Sequence, residues 1–316
     1  MATPAVSVVV ATRDRPARLA ALLAGLRRQR VGAGDAFEVV VVDDGSGPET
    51  AARLEAERAH GELELVVRRH EASRGPGAAR NTGWRSARAL LVAFTDDDCV
   101  PEPGWLASGL SAHRAAPEAI VQGRTEPEPA ELHRAGLFPH LARVQRLGPQ
   151  YQTCNIFYPR ELLERVGGFD ETFAGAPGED TDLAWRALAL GRPARFAPEA
   201  LVHHAVEERS VGDAVRTAWR WTGTVRLLSV HPATRGMLFR GLFWNEWHYL
   251  LVRSVLSPAL PRPLRRLVLA RHAYELWRRA RRAGAGPASI PLLVAHDAVE
   301  LAAVVRGALR YRTLAL

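Results

Sequence analysis

The sequence of 316 residues contains no lysine, only two cysteines and few aromatic residues, which make up 7% of the chain. All 42 basic side chains are therefore arginines, set against 34 acidic ones, and the formal net charge is +8. Cys99 and Cys154 lie far apart, with no cysteine or histidine at the spacing of a zinc site. We therefore predict neither a disulfide framework nor a zinc module, and expect a reducing cytosol.

The sequence also lacks the pattern of a signal peptide and a long uncharged apolar segment. The apolar run at residues 5–11 follows no basic region and is too short for a signal-peptide core. The nearest candidate for a membrane span, residues 292–309, contains four ionisable residues: His296, Asp297, Glu300 and Arg306. We therefore predict no spanning helix. With 47% hydrophobic and 24% charged residues, the composition is typical of a globular protein and excludes disordered and collagen-like chains.

The first two thirds of the chain alternate short apolar runs with longer stretches of helical period. Strands are predicted at residues 7–11, 37–44, 63–69 and 89–94, and helices at residues 19–29, 49–59 and 77–88. Uninterrupted runs of Val and Leu are typical of strands that are buried on both faces. The pattern predicts an α/β fold with a doubly wound, mostly parallel sheet.

The strand signals end near residue 208, which we take as the boundary between a domain at 1–208 and a helical region at 209–316. Four helices are predicted in the second region, at residues 211–228, 238–256, 263–282 and 290–309. Within the first region, residues 123–140 carry three prolines and no clear period, which predicts an irregular connection.

Basic and aromatic side chains are concentrated in the predicted C-terminal helices. Residues 262–282 contain eight arginines and one acid, Glu275. The region also contains a set of large aromatic residues: Trp219, Trp221, Trp244, Trp247, Tyr249 and Trp277. This mixture is typical of helices that rest on an anionic membrane surface, and equally of helices packed against a domain. The sequence contains no nucleic-acid recognition motif, so we predict no nucleic-acid partner.

Polar clusters follow three of the predicted strands at the point where each strand ends. They are ATRD at 11–14, DDGS at 43–46 and TDDDC at 95–99. Ligands collect at the carboxyl ends of parallel strands, because helix N-termini and loop amides converge there. The three clusters therefore predict one site.

Asp96, Asp97 and Asp98 are consecutive, and their mutual repulsion is costly unless a cation or strong donors compensate it. Mg²⁺ and Mn²⁺ are held by one or two carboxylates together with phosphate oxygens. Acids before a helix that begins near Pro103 can instead complement the helix dipole. The residues by themselves leave a metal–diphosphate site and a helix cap as alternatives.

The DDGS cluster and the glycine-rich segment at residues 73–87 are further candidates for nucleotide binding. Asp43 and Asp44 can form an Asx turn that ends a strand, or a turn that binds a base and ribose. In the glycine-rich segment the glycines permit close backbone approach, while Arg74 and Arg80 offer planar donors for a nucleotide.

A further acidic pair, Glu179 and Asp180, precedes a stretch of helical period. These acids can form an ordinary acidic first turn of a helix, or supply a general base beside a cleft. Gly175 lies in the approach to this turn, which predicts flexibility there. His203 and His204 end a strand-like run, and a histidine beside a carboxylate-bound metal can serve as a further ligand.

Taken in order, seven segments between residues 6 and 204 resemble the nucleotide-sugar-dependent family 2 glycosyltransferases of the GT-A fold. The segments are VSVVVATRDRP, VVVVDDGS, GPGAARNTG, FTDDDCVPEPGWL, TCNIFYPRELLERVGGFDETF, GEDTDLAWR and PEALVHH. No single segment is specific, whereas the ordered set is. The resemblance implies a Rossmann-like GT-A domain followed by an α-helical extension.

The resemblance also implies a role for each polar cluster. The residues implied at the nucleotide are Thr12, Arg13, Asp43, Asp44, Arg80, Asp96 and Asp97. Asp98 is the implied ligand of Mn²⁺ or Mg²⁺, with Asp96 and His204 as further ligands and His203 as the competing histidine. Asp180 is the implied catalytic base, with Glu179 beside it.

The activity so implied is transfer of a sugar, with inversion, from a nucleoside-diphosphate sugar to an acceptor hydroxyl. We expect a UDP-sugar as donor and a saccharide or lipid-linked acceptor, in the synthesis of cell-envelope polysaccharide or glycolipid. The expected location is the cytoplasm, with peripheral contact at the inner face of the membrane. The alternative is a non-catalytic scaffold that binds nucleotide or lipid through a degenerate transferase domain.

Overall fold

The computed structural model describes residues 3–173 and 177–316, so Gly175 lies outside the described residues. The strands are β1 (Val6–Thr12), β2 (Phe37–Asp43), β3 (Leu65–Arg69), β4 (Leu91–Asp96), β5 (Cys99–Pro101), β6 (Ile120–Pro127), β7 (Pro139–His140), β8 (Asn155–Pro159), β9 (Ala194–His204) and β10 (Glu207–Glu208). The α-helices are α1 (Pro16–Arg27), α2 (Pro48–His60), α3 (Pro76–Ser86), α4 (Trp105–Ala115), α5 (Arg160–Val166), α6 (Glu179–Ala189), α7 (Val211–Thr224), α8 (Arg226–Val230), α9 (Glu246–Leu256), α10 (Arg262–Arg282) and α11 (Ile290–Arg310).

Eight of the strands form one sheet in the order β3-β2-β1-β4-β8-β6-β9-β5. The pairs β3–β2, β2–β1, β1–β4 and β6–β9 are parallel, whereas β8 and β5 run antiparallel to their neighbours. The prediction of a mostly parallel sheet is confirmed. The four strands and three helices predicted between residues 7 and 94 are also present, with shifted ends.

Two apolar clusters cover the two faces of the sheet. Val8 and Val10 of β1 belong to one cluster, and Val9 between them belongs to the other, as expected for a strand buried on both faces. Leucines of α1 and α4 close the first cluster, and side chains of α3, α5 and α6 close the second. This packing fixes the strand ends on which the polar clusters lie.

Two local predictions are wrong. The connection predicted to be irregular at 123–140 begins inside β6, which pairs along its length with β9 through a register shift at Gly123. The helix predicted at 238–256 begins only at Glu246, because Asn245 caps it by accepting a hydrogen bond from the His248 N–H at 2.9 Å.

The described residues divide into two compact units. The first unit contains residues 3–129, 141–173 and 178–205, and the second contains residues 130–140, Pro177 and residues 206–316. The first unit holds the large sheet. The second unit is mainly helical and includes the short antiparallel pair β7–β10.

Helix α11 in the second unit carries acidic residues on its packed side. Asp297 accepts two hydrogen bonds from Arg279 of α10, at 2.6 and 3.0 Å, and Glu300 lies 3.1 Å from the buried His248 of α9. In the described part of the chain, one helical segment, residues 287–310, is long and apolar enough by length and composition to cross a membrane. Core helices of globular domains meet the same criteria, and the acids of this helix are paired with α9 and α10.

Candidate active site

The ends of β1 and β4 lie side by side and bring two polar clusters together. The strands are parallel neighbours, with Ala11 opposite Asp96. One residue further along each chain segment, the Thr12 hydroxyl donates a hydrogen bond to Asp97 Oδ2 at 2.7 Å. Arg15 reaches the same cluster, with Nη1 2.8 Å from Asp98 and 3.3 Å from Asp97.

Arg80 joins the end of β4 to the start of α6. Its Nη2 donates to Asp96 Oδ1 at 2.7 Å, and its Nη1 donates to Glu179 Oε1 at 3.1 Å. Burial of the guanidinium opposes its charge, but Asp96 and Glu179 together raise the pKa of Arg80 above its ordinary value. Two of the predicted clusters are therefore one network of charges.

Asp180 lies in the first turn of α6, after Gly178, whose φ of 132° favours glycine. The Asp180 carboxylate accepts a hydrogen bond from the Thr181 N–H at 2.8 Å. Burial and the neighbouring charge of Glu179 raise the pKa of Asp180 to about 7, against the lowering effect of Arg80. A carboxyl group with this pKa can exchange a proton near neutral pH.

Asp44 organises the loop between β3 and α3. Its two carboxylate oxygens accept hydrogen bonds at 2.7–2.9 Å from four groups: the His70 ring, the Ser73 hydroxyl and the N–H groups of Arg74 and Gly75. Burial by itself would raise the pKa of Asp44, but these four donors bring it below its ordinary value. The carboxylate thereby positions the glycine-rich segment.

Asp43 forms the Asx turn that the sequence permits. Its Oδ1 accepts a hydrogen bond from the Ser46 N–H at 2.8 Å, and its Oδ2 accepts one from Arg69. Arg69 also donates to the Ser46 carbonyl at 2.6 Å, which clamps the turn from the neighbouring strand. These side-chain hydrogen bonds thus join Asp43 to Ser46 of the DDGS turn and to Arg69 of β3.

His204, Asp98 and Cys99 form a cluster of donor atoms within 4.8 Å of one another. The His204 Nδ1–H donates to the Ala205 carbonyl at 2.8 Å, and this bond turns Nε2 towards Asp98, where it lies 3.5 Å from Oδ1. His203, on the opposite face of β9, contacts Glu102 at 3.0 Å instead. Of the two histidines, His204 is therefore the one that lies beside Asp98.

Three neighbouring side chains, Cys99, Asp96 and Asp97, differ in their contacts and in their pKa values. Burial raises the pKa of the Cys99 thiol well above its ordinary value, so the sulfur stays protonated. Asp96 is outside the cluster of donor atoms and contacts Arg80. Burial also raises the pKa of Asp97 to about 6, with Arg15 and Thr12 opposing the rise and Asp98 adding to it.

Arg13 is a predicted site residue and Arg15 is not, but in the structure it is Arg15 that contacts the acids after β4. The Arg13 side chain is 57% exposed and its ion pair is with the adjacent Asp14, at 3.6 Å. Asp14 has a left-handed φ of 53°, so the two arginines point differently. The contacts of Arg69 with Asp43 and of His70 with Asp44 were not predicted, although Arg69 ends a predicted strand and His70 follows it.

A small cavity borders this network on the α3 side. It is lined by the start of α3, by residues 170, 171 and 173, and by Glu179. The carboxylate of Glu179 thus faces both the Arg80 guanidinium and this cavity.

Comparison with known proteins identifies the family. The sequence profile of glycosyl transferase family 2 matches residues 7–169. The chain belongs to this family. A second profile, of glycosyl transferase family group 2, matches residues 151–279. The resemblance carried by the seven motifs is therefore confirmed.

Two curated relatives show how far the similarity extends within family 2. The chain is 35% identical over 214 residues to the pre-mycofactocin glycosyltransferase of Mycobacterium tuberculosis, covering 63% of this chain and 42% of the relative. It is 34% identical over 276 residues to the validoxylamine A glucosyltransferase of Streptomyces hygroscopicus subsp. jinggangensis, covering 76% of this chain and 63% of the relative. The chain thus spans only part of the length of each.

Solved structures confirm the GT-A fold. The mannosyltransferase PcManGT from Pyrobaculum calidifontis, in complex with GDP-Man and Mn²⁺, aligns with a TM-score of 0.59 at 20% identity, covering 99% of this chain and 88% of that chain. S. aureus TarS in complex with UDP-GlcNAc aligns with a TM-score of 0.54 at 18% identity, covering 98% and 92%.

The four hydrogen bonds to Asp44 generate a prediction about stability. Asp44→Asn is expected to lower the free energy of unfolding by about 2 kcal/mol at pH 7, because an amide cannot accept all four bonds. A carboxyl with a lowered pKa stabilises the fold above its unfolded pKa, and this stability is lost as the pH falls through the folded pKa. The deficit should therefore shrink only below pH about 4.

Urea unfolding of both proteins between pH 3 and pH 7 measures this difference. Glu71→Gln, which changes an exposed carboxylate in the same loop, is the matched control and should unfold like the unmodified chain. A deficit that is the same at every pH would contradict the role of the Asp44 charge.

Proposed function

We propose that this chain is an inverting glycosyltransferase that moves a sugar from a nucleoside-diphosphate sugar to an acceptor hydroxyl. The observation that carries the proposal is the double contact of Arg80 with Asp96 and Glu179, which joins the strand-end acids to the helix that bears Asp180. Membership of family 2 supports the same reaction class. We take residues 1–208 as the transferase domain and 209–316 as its helical extension.

Asp180 is the proposed catalytic base. Its carboxylate takes the proton from the acceptor hydroxyl while that oxygen forms a bond to the anomeric carbon. The bond from this carbon to the diphosphate oxygen breaks in the same step, and attack from the opposite side inverts the configuration. The pKa of about 7 suits this role, because a base is most effective when its pKa lies near the working pH.

The nucleotide is proposed to lie along the ends of β1, β2 and β4. The residues assigned to it are Thr12, Arg13, Asp43, Asp44, Arg80, Asp96 and Asp97. The contacts support an indirect part for two of them. Asp44 uses its oxygens to hold the amides of Arg74 and Gly75, and Asp43 holds the turn before α2. Both acids would then act by shaping the loops that meet the nucleotide.

The residues near Asp98 fit a divalent cation. His204 turns its Nε2 towards Asp98 because Nδ1 is held by the Ala205 carbonyl, an arrangement that orients ligating histidines in metal sites. Asp98 and His204 would hold the ion, and Asp96 stays a predicted further ligand. A carboxylate with an imidazole suits Mn²⁺ better than Mg²⁺, which prefers oxygen ligands. Such an ion neutralises charge on a departing diphosphate.

The donor that we propose to test first is a UDP-sugar, followed by GDP-sugars. TarS was solved with UDP-GlcNAc and PcManGT with GDP-Man, so each class has a precedent in a structure of this fold. The proposed acceptor is a saccharide or lipid-linked sugar of the cell envelope. The proposed location is the cytoplasm, with peripheral contact at the inner face of the membrane.

Helix α10 supports peripheral contact with an anionic membrane surface. Three large apolar side chains follow one another on its outer face, Leu267, Tyr274 and Trp277, with exposed fractions of 67%, 53% and 41%. The one acid of the helix, Glu275, is buried and paired with Arg271 and Arg278. Apolar and aromatic side chains on a helix with eight arginines and one acid are typical of helices at a membrane interface.

The first prediction of this proposal concerns turnover. We expect transfer or hydrolysis of at least one nucleotide sugar in a screen of UDP- and GDP-sugars with and without Mn²⁺. Asp180→Asn should lower kcat by about 10²–10⁴-fold, because it removes the base from the transition state. Its affinity for the nucleotide, measured by calorimetry, should stay close to that of the unmodified chain. Equal trace activity in both proteins would favour the non-catalytic scaffold.

The second prediction concerns the pH profile. The acid limb of kcat/KM should have its midpoint near pH 7, the pKa of Asp180. Glu179→Gln should move this midpoint to lower pH, because loss of a neighbouring negative charge favours the deprotonated base. Glu171→Gln is the control, since Glu171 contacts Arg74 and Asn81 instead. A midpoint that stays or rises in Glu179→Gln would contradict the assignment.

The third prediction concerns the membrane. In flotation with vesicles containing about one third anionic phospholipid, the full chain should move with the lipid, and high salt should weaken the association. The double variant Leu267→Glu/Trp277→Glu should lower the bound fraction about tenfold. Leu90→Glu makes the same change at an exposed leucine of the first unit and should float normally. Normal flotation of the double variant would exclude α10 as the contact surface.

A further inference from the structure

Arg15 connects two buried carboxylates at the proposed cation site. Its Nη1 lies 2.8 Å from Asp98 Oδ2 and 3.3 Å from Asp97 Oδ1. Both carboxylates are almost completely buried, whereas 41% of the Arg15 side chain is exposed. The guanidinium therefore reaches the acids from the solvent side, and its positive charge lies against an oxygen of the proposed cation ligand.

The backbone around Arg15 is held on both sides. The preceding residue, Asp14, donates its N–H to the Ser46 hydroxyl at 3.0 Å and accepts the Gly47 N–H at 2.8 Å. The following residue, Pro16, is the first residue of α1 and has a fixed φ. A change of partner by Arg15 would therefore require only rotation of its long side chain, without movement of the loop.

We propose that Arg15 is an exchange residue, which pairs with Asp98 before the cation binds and transfers to the donor's diphosphate when cation and nucleotide bind together. This inference rests on the proposed function, because it takes Asp98 to be a cation ligand. A guanidinium and a divalent cation at the same buried carboxylate repel each other, so binding of the cation displaces the guanidinium. The planar fork of arginine matches phosphate oxygens.

The exchange couples the two ligands energetically. A cation that binds by itself breaks the contact between Arg15 and Asp98 when no phosphate is present to replace it, and therefore binds weakly. When a nucleoside diphosphate is present, the displaced guanidinium gains phosphate oxygens, and the same cation binds more tightly. By linkage, the cation must tighten nucleotide binding by the same factor.

Calorimetric titration of the full chain with Mn²⁺, with and without UDP, tests this coupling, and electron paramagnetic resonance measures free Mn²⁺ in parallel. Without UDP, Arg15→Gln should bind Mn²⁺ about tenfold more tightly than the unmodified chain, or about 1.4 kcal/mol. It should also gain less affinity when UDP is added. Neither readout depends on turnover.

Two further variants make the comparison specific. Arg114→Gln makes the same change at an exposed arginine of the first unit, whose ion pair is with Asp35, and should keep the unmodified values. Arg15→Lys keeps the positive charge but not the planar fork, so without UDP its Mn²⁺ affinity should stay close to that of the unmodified chain. Circular dichroism verifies that each variant is folded, and Arg15→Met replaces Arg15→Gln if the latter is not.

The outcomes separate this inference from the proposed function. If the unmodified chain binds Mn²⁺ but removal of the Arg15 charge leaves the affinity unchanged or weaker, the exchange role is overturned. If the unmodified chain binds no Mn²⁺ with or without UDP, the proposed cation site fails instead.

Discussion

The arrangement of the candidate site depends on one buried guanidinium. Arg80 extends from α3, which packs on β1 and β2, and pairs with Asp96 at the end of β4 and Glu179 at the start of α6. A buried charge of this kind is tolerated only when it is fully paired, and removal of one partner typically costs about 3–5 kcal/mol. The position of each acid is therefore tied to the position of the others.

The aspartates of the candidate site differ in pKa because their surroundings differ. Four donors hold the pKa of Asp44 below its ordinary value, so it stays charged and can fix a loop. Burial among other acids raises the pKa of Asp97 to about 6 and that of Asp180 to about 7. Environments that separate the pKa values of neighbouring acids are typical of sites that divide structural work from proton transfer.

In the helical unit, ion pairs hold the helices together. Arg279 with Asp297, and His248 with Glu300, tie α11 to α10 and α9 from within. These pairs explain why ionisable residues interrupt an otherwise apolar helix. Leu267 and Trp277 of α10 lie on its outer face and are exposed.

The sequence by itself determined β1 to β4, the family and the set of acids at the strand ends. Runs of valine predict strands, because a strand that is buried on both faces consists of apolar residues along its whole length. The sequence did not predict β6, β8 or the full extent of β9, and in the structure β6 pairs with both β8 and β9. The irregular connection expected at residues 123–140 is wrong for residues 123–127, because these residues pair with β9 as part of β6.

Only the tertiary structure decided which of two adjacent side chains belongs to the site. Arg15 rather than Arg13 reaches the acids, because Asp14 between them adopts a left-handed φ. His204 rather than His203 meets Asp98, because β9 pairs with β5 in a register that sets His204 opposite Cys99. A sequence pattern specifies residue types and spacing, whereas the direction of a side chain follows from backbone angles and strand register that distant segments impose.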